Sequence, residues 1–465
     1  MNRLKYTRAL MLGSIVALAG CVAGEVDDTD SRDRVEAQMA AIPKYPHMAR
    51  CATPQAGFVA CNARVRTDAN GTIQAFATPS GLAPSDLQSA YNLASVVAGG
   101  AGVTVGIVDA QDDPSAEADL AVYRTQFGLP ACTTANGCFK KVNQTGAASP
   151  LPTADKGWSG EIMLDIEMVS AVCPNCKILL VEASAASDAD LGTAENTAVS
   201  LGATVVSNSY GGAESSGDAS SNAAYNHPGV GIFVSSGDDG YGVQYPASSP
   251  YVTAVGGTSL TKSSSTTRGW VEAVWGTSAG KEGAGSGCSK YETKPTWQTD
   301  TGCTKKTVAD IAAIADPNTG VAVYDSYGSG GWAVYGGTSA ASPLTAAIHA
   351  LTKHGADALG YSYSHTTAFY DVTSGTNGSC SASAAYLCTA KAGYDGPTGN
   401  GTPNAAALAS GGTAGGGGTA GGGGTAGGGG SAGGGGTAGG GGTAGGGGTA
   451  GGGGSTGGTC AHNEC

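Results

Sequence analysis

Five short, predominantly apolar runs, at 103–108, 177–181, 204–207, 231–234 and 251–255, constrain this chain more than any other feature. A strand with one wet face alternates polar with apolar residues. These runs do not alternate, so both of their faces must be covered. Stretches with helical patterning lie between them, around 116–128, 159–172 and 190–202. Ser85-Asp86-Leu87-Gln88-Ser89-Ala90-Tyr91 reads as a capped helix ahead of the first. Buried strands alternating with helices predict an α/β fold, a doubly wound and mostly parallel sheet with helices on both faces. Sheets of that kind carry their sites beyond the carboxyl ends of the strands.

The remainder of the chain is not core. Past Leu408, seven hexads of the type Thr-Ala-Gly-Gly-Gly-Gly run from Thr413 to Gly454, with Ser431 replacing one threonine. No side chain there can bury area, so residues 409–459 read as a tether whose ends average about 35 Å apart. A tip follows at 460–465, Cys460-Ala461-His462-Asn463-Glu464-Cys465, in which a small disulfide loop is favoured over a metal knuckle. At the other end, a basic start and the apolar stretch from Ala9 to Gly20 form a secretory signal too short to span a bilayer. It closes on Leu18-Ala19-Gly20-Cys21, which resembles the bacterial lipobox. That resemblance implies an exported lipoprotein anchored through Cys21, with Val22 pointing to an outer-membrane or cell-surface address. Ordinary cleavage near Ala23-Gly24 and secretion is the alternative. Residues 22–80 are polar without sustained periodicity and read as a linker or short pro-segment, leaving 81–408 as the folded domain.

Net charge is −13 with only 13% charged residues, which argues against nucleic acid and against a polybasic membrane footprint. Apart from Cys21, the cysteines fall in neighbouring pairs: Cys51/Cys61, Cys132/Cys138, Cys173/Cys176, Cys288/Cys303, Cys380/Cys388 and Cys460/Cys465. An even count in an exported chain suggests local disulfides. Cys173-Pro174-Asn175-Cys176 could be a redox or zinc half-site, but no second pair at metal spacing accompanies it.

The chemistry concentrates in three places. Gly336-Gly337-Thr338-Ser339-Ala340-Ala341-Ser342-Pro343 is a glycine-loosened turn feeding straight into an apolar helix. Such a turn exposes a serine hydroxyl beside a helix N-terminus that favours a developing anion. The nucleophile needs a base, and none of the six histidines lies between His47 and His227. Glu161 and Asp165 lie there instead, four apart on one helix face, where two acids share a proton and titrate as a unit. Such a pair can accept a proton from Ser339 and return it to a leaving amine. Third, Ser236-Gly237-Asp238-Asp239 ends a strand; an acid held neutral there can donate to an oxyanion. Read separately, each has a plainer meaning: a helix start, two solvated acids, a turn.

Together these runs, with Ser207-Asn208-Ser209-Tyr210-Gly211, resemble the sedolisin family of serine-carboxyl peptidases over about residues 85–408, in the same order. The resemblance implies a subtilisin-like fold and an endopeptidase acting on polypeptides through an acyl-enzyme, with an acidic optimum and as a monomer. It makes Ser339 the nucleophile, Glu161 the general base, Asp165 its partner and Asp238 the oxyanion donor. It also implies one structural Ca2+ held by Asp371 and Asp395 with the carbonyls of Val372 and Gly393, an oxygen set that suits a hard cation. The chain departs from the family in having only residues 22–80 where a large pro-domain is usual, Tyr210 where tryptophan is common, and Lys391 at a position often glycine. Two other readings stay open: a silent binding module on the same fold, and an Asp–His–Ser triad using Asp109 and Ser339. The triad lacks a histidine in mid-chain, and Asp109 is then expected to cap or orient backbone.

Overall fold

Strands buried on both faces need helices on both sides, and the computed structural model, which describes residues 28–55 and 57–411, is arranged so. The central sheet contains β1 (Thr104–Ala110), β2 (Phe139–Asn143), β3 (Lys177–Ala183), β4 (Val205–Asn208), β5 (Gly231–Ser235), β6 (Thr253–Lys262), β7 (Trp270–Val274) and β8 (Ile311–Ile314). Their order is β7-β6-β5-β4-β1-β3-β2, with β8 also pairing β6. All pairings are parallel except β6 with β7. Ile107 of β1 lies opposite Leu180 of β3 on one side and Ser207 of β4 on the other. After β3 the chain therefore crosses β1 to begin β4, and the direction of winding reverses at β1. The open crevice at such a reversal is where sites in these sheets form.

Four helices cover the sheet: α1 (Ala116–Gln126), α2 (Lys156–Val172), α3 (Asp188–Ser200) and α4 (Thr338–Leu351). Val105 and Ile107 of β1 pack with Ile162 and Leu164 of α2 and Leu344 and Ile348 of α4. Val108 and Ala110, pointing the other way, pack with Leu191, Ala194 and Ala198 of α3. That alternation of partners along one strand explains why its sequence does not alternate in polarity. Asp155 caps α2, its Oδ1 accepting from the backbone N–H of Gly157 at 2.8 Å and Trp158 at 3.0 Å. No described helix is long and apolar enough to cross a membrane.

Residues 28–80 are more regular than their lack of periodicity suggests. They contain the helix Asp28–Ala40 and the strands His47–Ala49, Ala60–Cys61 and Arg64–Arg66. Arg64–Arg66 joins a second sheet between His47–Ala49 and Gly331–Gly336, with Val321–Asp325 at its far edge. Five of the six cysteine pairs form the expected disulfides, 51–61, 132–138, 173–176, 288–303 and 380–388. The signal segment with Cys21, the glycine repeat and the Cys460/Cys465 tip lie outside the described residues.

Candidate active site

Ser339 stands in the first turn of α4, fully buried. Its Oγ donates to the Ser209 carbonyl at 3.2 Å. The turn that delivers it needs Gly337, which has φ +94°, and where an added Cβ would lie 2.0 Å from the Asn62 carbonyl oxygen. A side chain at that position would be strained and would collide.

Glu161 and Asp165 project from α2, which packs directly on α4, and both are fully buried. Asp165 Oδ1 accepts from the Ser209 hydroxyl at 2.9 Å. Neither oxygen of Glu161 meets ordinary hydrogen-bond geometry with a described residue, so its contacts with Ser339 and Asp165 are looser than a full hydrogen bond. Burial pushes both carboxyls well above the usual range, and the charge of Asp109 pushes them further. The interaction between the two acids raises Asp165 and lowers Glu161. The two acids therefore hold protons above the pH at which exposed carboxyls lose them, and they titrate as one pair beside the serine.

Asp109 corrects one expectation. It ends β1 fully buried, and neither of its oxygens has a hydrogen-bond partner among the described residues, so it caps and orients no backbone. Burial raises it to about 8, and it belongs to the acid cluster. Asp238, just beyond β5, accepts from the Thr338 backbone N–H at 2.8 Å and the Thr338 hydroxyl at 3.0 Å. Its other oxygen accepts from Arg64 Nε at 3.2 Å. Burial still outweighs Arg64 and lifts Asp238 to about 7, so it exchanges its proton near neutrality.

No imidazole completes a triad among the described residues. His349, on the same helix as Ser339, is buried against Phe233 with Nδ1 at 2.9 Å from the Thr345 carbonyl, and burial holds it down at about 4. His227 bonds the Ala224 carbonyl, His354 bonds Asp357 and the Leu408 carbonyl, and His365 bonds Ser364 and the Tyr361 carbonyl. His47 bonds Glu282 and the Tyr45 carbonyl.

At the expected cation site, Asp371 Oδ2 accepts from Gly393 N at 2.8 Å, which brings the two chain segments together. Asp395 is buried and raised to about 7, mainly by burial and in part by Asp371. It already accepts from the N–H groups of Lys391 and Thr398 and from the Thr398 hydroxyl. No described cluster holds three or more His, Cys, Asp or Glu side chains suited to a metal. The two carboxylates, Asp371 and Asp395, are oxygen donors of the kind a hard cation takes.

Sequence reasoning missed three contributors. Ser209 bridges Asp165 to the Ser339 environment; its place in the run after β4 was the available signal. Asn62 and Arg64 reach the site from the N-terminal segment, where no local pattern marked them.

The geometry agrees with the comparisons. Residues 155–401 match the model of the Subtilase family. Kumamolisin of Bacillus sp. (strain MN-32) is 32% identical over 378 residues, covering 73% of this chain and 66% of that protein. Sedolisin of Pseudomonas sp. (strain 101) is 30% identical over 375 residues, covering 72% of this chain and 61% of that protein. The chain thus spans somewhat less than two thirds of the length of these curated relatives. A solved Pseudomonas sedolisin, a serine-carboxyl proteinase complexed with two molecules of pseudo-iodotyrostatin, superposes with a TM-score of 0.60 at 30% identity, covering 72% of this chain and 98% of that structure.

Proposed function

The chain belongs to the subtilase family as a sedolisin-type peptidase, and from that premise we propose that it is an endopeptidase that hydrolyses peptide bonds in polypeptides through an acyl-enzyme on Ser339. Ser339 Oγ attacks the scissile carbonyl while Glu161 takes its proton and Asp165 shares it. The Ser339 backbone N–H and a neutral Asp238 stabilise the oxyanion. The pair then protonates the leaving amine, and water releases the acyl group by the reverse sequence. The observation that carries this reading is the buried acid pair facing Ser339, joined to it through Ser209, where a triad would need an imidazole.

Asp238 donates only when protonated and Glu161 accepts only when ionised, so the reading includes an optimum on the acid side of neutrality. The test is hydrolysis of a denatured protein by the parent and by Ser339→Ala and Glu161→Gln. Loss of turnover in both variants supports the reading, and parental rates in either would remove it.

Export rests on the basic-then-apolar N-terminus, and the lipid anchor on Cys21 rests on the lipobox resemblance. Metabolic labelling with a fatty acid, lost in Cys21→Ser, tests the anchor. A single structural Ca2+ at Asp371 and Asp395, with the carbonyls of Val372 and Gly393, rests on the donor set; bound, it would tie the 371 and 393 segments together. The chemical steps do not pass through it.

A further inference from the structure

The strand Gly283–Thr293 leads from the acid cluster to a second hollow. It begins beside Asp238: the Gly283 N–H donates to the Asp238 carbonyl at 3.0 Å, and the Gly285 N–H to the Gly237 carbonyl at 2.8 Å. Glu292 stands near its other end, at most about 23 Å beyond Gly285 along an extended chain. There it joins Pro250, Tyr251, Pro295, Trp297 and Leu359 in walling a hollow of about 580 Å³. Tyr251 and Leu359 are large apolar side chains exposed at its rim.

Glu292 is the unusual member of this lining, a carboxyl only 3% exposed among apolar walls. Its Oε2 accepts from Asn222 Nδ2 at 2.7 Å, and Asn222 Oδ1 in turn accepts from the Tyr245 hydroxyl at 3.3 Å. Its Oε1 has no hydrogen-bond partner among the described residues. Asp218 and Glu214 add negative charge around it, and Lys305 is the cation that opposes them. The nearby ammonium groups are committed elsewhere. Lys305 Nζ donates to the Tyr291 carbonyl at 2.9 Å, Lys294 Nζ to Asp300 at 2.6 Å, and the buried Lys306 Nζ to Asp310 at 3.1 Å. A buried carboxylate with one open oxygen is costly until a charged donor meets it.

We propose that this hollow is an exosite for the polypeptide substrate, which takes the ammonium or guanidinium of a lysine or arginine side chain against Glu292. The choice of substrate as occupant rests on the proposed function. The charged head supplies the N–H donor that Oε1 lacks, and the aliphatic stem lies along Tyr251, Trp297 and Leu359. The two aromatic rings add attraction for a cation. An apolar side chain would cover the carboxylate without pairing it, and an acidic one would be repelled by Glu292, Glu214 and Asp218. A chain held at Ser339 must continue for about seven residues to reach the hollow, so only longer polypeptides engage both.

The walls are held in place before any ligand arrives. The Cys288–Cys303 disulfide closes the loop that carries Pro295 and Trp297. Gln298 Nε2 donates to the Thr307 carbonyl at 2.7 Å and to Asp310 at 3.0 Å, fixing the residue after the tryptophan. The Trp297 ring lies 5.0 Å from that of Tyr363 and close over Gly360, where an added Cβ would stand 2.8 Å from Trp297 Cγ. A preformed apolar hollow with one oriented polar group is the usual form of a ligand site.

The test has a binding arm and a turnover arm. In the first, full-length Ser339→Ala protein is titrated with acetyl-Ala-Lys-Ala-amide and with its norleucine analogue, followed by ligand-detected NMR at about pH 7, where carboxylates are ionised. The lysine peptide should bind saturably and about tenfold more tightly than the norleucine peptide, and adding Glu292→Gln should remove that difference. In the second arm, the wild type and Glu292→Gln hydrolyse denatured cytochrome c, the same protein with its lysines acetylated, and a four-residue peptide. Glu292→Gln should raise KM about tenfold for the unmodified protein alone, with kcat unchanged. Equal binding of the two peptides to Ser339→Ala, or none, overturns the inference and leaves the proposed function standing. So does an unchanged KM for cytochrome c, or a KM that rises equally for the four-residue peptide. Absence of any Ser339-dependent hydrolysis removes the proposed function, and with it the substrate assigned to the hollow.

Discussion

Asp109, Glu161 and Asp165 are acids that burial, rather than hydrogen bonding, holds neutral or half-neutral, and this has a consequence for stability. Asp109 titrates near 3.9 in an unfolded chain and at about 8 when folded. Its proton is bound more tightly by the native state, so the stability it contributes is fully present below about pH 4 and is lost as the pH rises through about 8. Glu161 and Asp165, also raised by burial, act in the same direction, so stability falls as the pH rises through their titration. In the Ser339→Ala background, which prevents self-digestion, the melting temperature should fall between those limits, and Asp109→Asn should flatten the fall. A melting temperature that climbs over the same range would contradict the assignment. For turnover, Glu161→Gln should cost roughly 10²–10⁴-fold through the lost base. Asp238→Ala should cost roughly 10²–10³-fold through the lost oxyanion donor. Steady-state hydrolysis of a peptide at saturating and limiting concentrations reads both.

At the scale of elements, α4 presents its serine only because Gly337 turns the chain at positive φ. Gly337→Ala should destabilise the fold by about 1–3 kcal/mol, measurable by denaturant melts, and depress turnover more than stability because the turn itself moves. The loop joining Asp371 to Gly393 makes a second element-scale prediction. Chelator should lower the melting temperature, Asp395→Asn should abolish that response, and an unchanged melt would count against the cation. How far the sequence reveals these elements depends on where their stability comes from. β1, β3, β4 and β5 were readable because burial on both faces leaves apolar runs. β2 was not, because it is an edge strand carrying Lys140 and Lys141, where polar residues are tolerated. Arg64-Val65-Arg66 and Ala60-Cys61 have no strand pattern of their own; pairing with Gly331–Gly336 and Tyr210–Ala213 makes them strands. The four residues expected to do the chemistry were readable from three short motifs. Asn62 and Arg64 were not, since their roles come entirely from where the tertiary fold carries them.

The whole molecule gathers acids from α2, β1 and the end of β5 around one serine, in a chain already carrying a net charge of −13. Low dielectric keeps these groups protonated well above the pH at which exposed carboxyls ionise, and the same feature makes them useful as proton carriers. An imidazole base would need no such enclosure. The most direct test of a carboxyl pair as the base is the pH dependence of kcat/KM on a peptide substrate. A carboxyl base with a neutral Asp238 predicts an acid limb set by ionisation of the Glu161–Asp165 pair and loss of activity as the pH rises past about 7, where Asp238 gives up its proton. A rate that instead rises through about 6.5 and holds its plateau into the alkaline range would be the signature of a histidine and would contradict the account.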